Sequence, residues 1–198
     1  SALNTPEQGC GSNDAKDSAE RDTLSFCQQA IQKQTTSRPM PTIELSIEIH
    51  SNIETCFDLA RSIDFHTIST SRTNEKAIGG RTSGLINLGE QVTWQATHFG
   101  IRQKLTSKIT TYERPFHFRD EQVKGIFKFI VHDHYFEQGD GKVIMKDVFR
   151  FQSPFGFIGQ AFDKLVLTKY LTEFLVERND LIKEYAETEK WKTVINGK

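Results

Sequence analysis

The feature that most constrains the fold is a change of hydrophobic period after Phe151. Between Leu85 and Phe151, apolar residues recur at every second position in short runs broken by turn residues, and from Ile158 to Glu189 they recur at helical spacing. Period two marks half-buried strands and period 3.6 marks a helix with one apolar face. The strand runs are Leu85–Leu88, Gln91–Phe99, Ile101–Thr111, Phe116–Val123, Ile126–Gln138 and Val143–Phe151, and the short turns between them predict a meandering antiparallel sheet. On the helix, Phe162, Leu165, Val166, Lys169, Leu171, Phe174, Leu175, Leu181 and Ile182 fall on one face, with Asp163, Lys164, Glu173, Glu177 and Arg178 on the other. Such a helix is about 45 Å long, enough to cross the whole sheet.

Upstream, Thr42–Ile49 alternates cleanly and adds a first strand. Ser51 or Asn52 caps a short helix ending at Ala60, and Ser62–Ile68 forms a second. The polar stretch from Ser69 to Gly84, with Gly79-Gly80 inside it, reads as a long loop able to act as a lid. The expected class is α+β: a curved antiparallel sheet of about seven strands wrapped on one long C-terminal helix, with two short helices after the first strand. Residues 1–39 are rich in Ser, Asn, Gln, Thr and Asp and read as an N-terminal extension holding at most one weak helix, Ser18–Lys33. The domain then spans residues 40–190, beginning at Met40, and 191–198 form a frayed tail.

The hairpin Ile126–Phe151 carries the most chemistry. Asp140-Gly141 at its tip predicts a type I′ turn, since that pair is preferred where both central residues need φ > 0. Gly139 then faces Lys142, His134 opposes Asp147 and His132 opposes Phe149. Alternation places Ile130, His132, His134 and Phe136 on one face with Met145, Asp147, Phe149 and Phe151. A mostly apolar face with a small polar island fits the lining of a ligand cavity. The candidate lining comprises Trp94, His98, Phe118, Ile130, His132, His134, Met145, Asp147, Phe149, Phe151, Phe162 and Val166. Trp94 and His98 share a strand face, where His98 is either a third polar group or a core histidine. His50 and His66 stand at element ends and receive no role. Arg81, Arg102 and Arg150 are the cations available to an anionic ligand, Arg150 on the face away from Asp147.

Composition narrows the function. The chain carries 25 basic and 26 acidic residues, mixed along its length, with no basic stripe of the kind nucleic-acid binders use. Fifteen phenylalanines against two tryptophans supply apolar lining or ordinary core. Cys10, Cys27 and Cys56 are odd in number and widely spaced, which predicts a reducing, cytoplasmic setting and no zinc site of the paired-cysteine type. No membrane-spanning run, secretory signal, nucleophile elbow, phosphate loop or HExxH appears, and no metal or cofactor is expected.

This order of elements resembles the START and polyketide-cyclase superfamily, also called SRPBCC, whose fold is a helix grip. The resemblance covers residues 42–189 and rests on the stretches Gly89–Gly100, with Trp94 and His98, Gly125–Lys128 followed by His132–Phe136, and Met145–Phe151. They are similar to a bacterial branch of cyclase-like ligand-binding proteins. Members carry lipids, sterols and hormones, cyclise polyketides, or assist chaperones. The resemblance therefore implies a binding cavity and transfers no catalytic residue.

Three readings stay open from sequence. One is a carrier or sensor of a hydrophobic or amphipathic small molecule. Another is a cyclase- or hydratase-type enzyme with His132 or His134 as proton shuttle held by Asp147. The last is an interaction protein whose cavity is filled by its own side chains. For the three polar residues, ligand orientation competes with a plain hydrogen-bonded cross-strand pair and with metal ligation, for which no third ligand stands out in sequence.

Overall fold

The computed structural model describes residues 40–154 and 156–195. The helix expected at Ser18–Lys33 lies outside the described residues. Seven strands form one antiparallel sheet: β1 (Thr42–Ile49), β2 (Lys76–Gly80), β3 (Gln91–His98), β4 (Ile101–Glu113), β5 (His117–Lys124), β6 (Phe129–Gln138) and β7 (Val143–Gln152). Their order is β1-β7-β6-β5-β4-β3-β2, so β1 and β2 are the edges. Register shifts in the β4–β5 ladder, at Thr106/Ser107 and Ile109/Thr111, bend the sheet where it must curve.

Between β1 and β2 lie α1 (Ile53–Ala60) and α2 (Ile63–Ser69). Each starts where a side-chain oxygen takes an otherwise unpaired amide: Asn52 Oδ1 accepts from Thr55 N at 2.7 Å and Ser62 Oγ from Phe65 N at 3.2 Å. Phe57 ties α1 to the sheet, its ring edge-on to Phe118, Phe136 and Tyr112 at centroid distances of 5.3, 5.4 and 5.5 Å. Cys56 is fully buried beside it, and burial, foremost, pushes its thiol up to about 12.

Two expectations about the strands change. The predicted lid contains β2, paired to β3, while Leu85–Leu88 forms no strand and makes only an isolated bridge from Leu85 to Ser62. The two glycines explain it: β2 shifts register between Ala77 and Gly79, and Gly80 (φ 71°) passes so close to β3 that a Cβ there would lie 2.2 Å from Gln91 O. Ile86 is instead a core residue, 4% exposed.

The C-terminal run is α3 (Gly156–Phe162), a π-helical turn over Asp163–Leu167, and α4 (Thr168–Glu187). The extra residue of the π turn re-phases the helix, so the predicted faces fail at its start. Asp163, expected on the polar side, is fully buried, accepting from Ser153 N at 3.0 Å and from the Ser153 hydroxyl. Leu165, expected inside, is 76% exposed. Arg178 also moves inside: its Nη2 donates to Ala60 O at 2.8 Å, an end carbonyl of α1 without a helical partner. The predicted frayed tail holds a further short helix, α5 (Trp191–Ile195), with Trp191, Val194 and Ile195 packed on the core. Among the described residues no helix is long and apolar enough to cross a membrane.

Candidate functional site

A cavity of about 1080 Å³ is lined by β3–β7, the two short helices and the C-terminal helical run. The hairpin β6–β7 has the register read from its turn, with His134 opposite Asp147 and His132 opposite Phe149. Gly139 N donates to Lys142 O at 2.8 Å. The tip is not type I′, because only Gly141 of its two central residues takes positive φ (71°).

Of the candidate lining, Trp94, His98, Phe118, Ile130, His132, His134, Phe149, Phe162 and Val166 line the cavity. Met145, Asp147 and Phe151 do not. Their side chains share the inner face, yet Met145 belongs to the core cluster that includes the apolar residues of α1, and Phe151 to the one with Ile43, Phe127 and Leu167. Asp147 lies behind the histidines, fully buried. Alternation specifies the face of a sheet, and neighbouring side chains decide how far into the chamber each residue reaches.

The mouth is defined by residues that line the cavity and remain exposed: Phe99 and Ile101 at the β3–β4 turn, Ile126 after β5, and Ile158, Phe162 and Val166 on the C-terminal run. Phe99 meets Tyr170 at 4.7 Å and Phe162 at 6.2 Å between ring centroids.

Two polar stations interrupt the apolar wall. At the first, His134 lies between two carboxylates, Nδ1 2.7 Å from Asp147 Oδ1 and Nε2 3.3 Å from Asp120 Oδ2, its ring stacked on Phe118 at 4.2 Å. Asp147 Oδ2 accepts from Asn179 Nδ2 of α4 at 2.7 Å. Burial works against a charged imidazole at His134, but the Asp147 charge and the hydrogen bonds to both carboxylates outweigh it and hold its pKa above the ordinary value. His132 goes the other way, lowered by burial and by its neighbour His134. Burial alone would raise Asp147; the charge and hydrogen bond of His134, with His132 3.5 Å away, hold it well below the usual range.

At the second station Glu75 sits 2.6 Å from His66 Nε2 and 3.6 Å from His98 Nε2. Burial opposes its charge, yet hydrogen bonds with these histidines bring its pKa down to about 2. His98 Nδ1 is 2.8 Å from the Tyr170 hydroxyl, and His66 stacks on Trp94 at 4.0 Å. His66, given no role from sequence, thus lines the cavity.

Sequence reasoning missed Asp120, Glu75 and Arg178, all of them lining residues. Asp120 was within reach: alternation puts it on the Phe118 face, and the β5–β6 register sets it opposite His132. Glu75 lay in the supposed lid, and no local pattern points Arg178 inward. Among the arginines proposed for an anion, Arg102 lines the cavity, Arg81 pairs with Glu90, and Arg150 pairs with buried Asp133 on the outer face, where His117 and Arg119 also contact that carboxylate.

No sequence-family model matches the chain. No curated protein matches it either. Solved structures do. The chain is similar to TTHA0849 from Thermus thermophilus at 13% identity, with a TM-score of 0.61 over 74% of this chain and 97% of that one. It is also similar to a major latex-like protein from Panax ginseng (14% identity, TM-score 0.57, 75% and 99% covered). A START superfamily protein from Mycobacterium smegmatis aligns at 9% identity, TM-score 0.56, over 72% and 97% of the two chains. At such identities the likeness shows the fold, the helix grip of START-like proteins.

Proposed function

From a START-like helix grip as premise, we propose that this protein binds a hydrophobic or amphipathic small molecule, of lipid, polyketide or aromatic type, between sheet and C-terminal helix. The observation that carries the reading is the cavity of about 1080 Å³, walled mainly by Phe, Ile, Leu and Val side chains with a few convergent polar groups. Burial of an apolar ligand there is favourable by roughly 25 cal/mol per Å² removed from water, and the polar stations fix its orientation. A filled-cavity interaction protein finds no support in such an interior.

The test is titration with an apolar fluorescent probe, Nile red, alongside native mass spectrometry of protein purified from its own host. One saturable site is expected. Leu171→Trp, which places an indole into the cavity, should weaken probe binding at least tenfold while the fold is retained. Equal binding by that variant would place the probe elsewhere and sink the proposal.

A second reading is favoured by one observation, the imidazole of His134 held between two carboxylates at the cavity wall. A proton-shuttling enzyme of cyclase or hydratase type would use it. His134→Asn then lowers turnover by roughly 100-fold or more, while Nile red binding is preserved.

A further inference from the structure

Asp120, His132 and His134 each present one donor atom, and the three atoms lie within 4.8 Å of one another. Asp120 Oδ2 is 3.3 Å from His134 Nε2 and 3.9 Å from His132 Nδ1. Donors bound to one ion at ordinary lengths of about 2.0–2.2 Å sit roughly 3–3.5 Å apart, so small side-chain rotations suffice to close the trio.

Two further observations separate this cluster from an ordinary ion pair. His132 is 7% exposed, and its Nε2 is buried with no hydrogen-bond partner, 3.5 Å from Asp147 Oδ1. A buried imidazole without a hydrogen bond calls for an explanation: an ion on Nδ1, the nitrogen nearer Asp120, would leave Nε2 protonated as a donor toward Asp147 Oδ1. His134 has its second nitrogen anchored by Asp147, which Asn179 in turn holds. That chain of contacts is how metal-ligating histidines are oriented.

We propose that Asp120, His132 and His134 bind one divalent first-row transition-metal ion, with open coordination positions facing the cavity. Two imidazoles and one carboxylate suit Zn²⁺, Co²⁺ or Fe²⁺ rather than Mg²⁺ or Ca²⁺, which take oxygen-rich sets. Three protein ligands leave room for a further donor, the arrangement of sites that engage a substrate rather than of closed structural sites. The metal site stands on the trio alone. A corollary, that the cavity's ligand reaches the ion with an oxygen donor such as a carbonyl or enolate, rests on the binding reading above.

The experiment uses Co²⁺, whose visible absorption reports low coordination number, on full-length protein first stripped with a chelator. One equivalent should bind with intense visible bands. Asp120→Ala and His132→Ala should each weaken binding by ~100-fold and Asp147→Asn by ~10-fold, while His117→Ala on the outer face has no effect. Circular dichroism checks that each variant folds. Independently of any variant, Zn²⁺ added to wild-type protein should shift the imidazole NMR resonances of His132 and His134 and leave those of His66 and His98 in place. Absence of a saturable site, binding indifferent to Asp120→Ala and His132→Ala, or shifts confined to other histidines would overturn the proposal. Acetohydroxamate, a small oxygen-donor chelator, should alter the Co²⁺ bands; unchanged bands would overturn the cavity-facing open position. Nile red binding, measured in parallel, separates the two readings: it persists if only the metal site fails, and its loss with Co²⁺ binding intact refutes the cavity reading alone.

Discussion

At Asp147, one carboxylate holds three elements together. Its oxygens contact His134 on β6 and Asn179 on α4, and no part of it is exposed. Removing one member of such a buried pair strands the others without partners, so Asp147→Ala should cost about 3–5 kcal/mol in urea unfolding, well above a surface carboxylate. Glu75 gives a pH prediction. Its pKa falls from 4.5 to about 2 on folding, so its contribution is fully present above pH 4.5 and is lost as pH drops toward 2. The difference in stability between wild type and Glu75→Gln should shrink by about 3 kcal/mol across that window, measured by denaturant titration at successive pH values. Neither effect was visible beforehand to the same degree. The Asp147–His134 contact follows from strand register, whereas Glu75 meets His66 and His98 only because α2, β2 and β3 converge.

Among the elements, β2 and the π turn departed from expectation, and each has a local cause. β2 is short, glycine-rich and weakly alternating, so its pattern resembles a loop; pairing with β3 makes it a strand. Gly80→Ala should therefore lower stability by more than about 1 kcal/mol, through both the positive φ and the clash with Gln91 O. Amide hydrogen exchange should show the loss concentrated in Lys76–Gly80. The π turn arises where Asp163 is drawn inward to satisfy Ser153, and it rotates the residues on which the cavity mouth depends. A period-3.6 projection cannot contain that rotation. The hairpin β6–β7, by contrast, was legible to the residue, because a short turn and period-two alternation leave little choice of register.

For the described domain as a whole, the proposed binding would link ligand and fold. A molecule that binds the native cavity and not the unfolded chain stabilises by about 2.7 kcal/mol at a free concentration 100 times its Kd. The melting temperature should thus rise with added apolar ligand in wild type and stay nearly fixed in Leu171→Trp; calorimetry checks both. What the sequence by itself determined was the order of elements, the antiparallel meander, the faces of β6 and β7 and the presence of one long covering helix, all set by local periodicity and turn chemistry. Only tertiary structure decided that Glu75, His66 and Arg178 reach the cavity, that Met145, Asp147 and Phe151 do not, and where the chamber opens. The physical reason is one of range. Periodicity reports which way a side chain points from its own backbone, whereas a cavity is the space left between elements distant in sequence, and its walls depend on packing that no local pattern encodes.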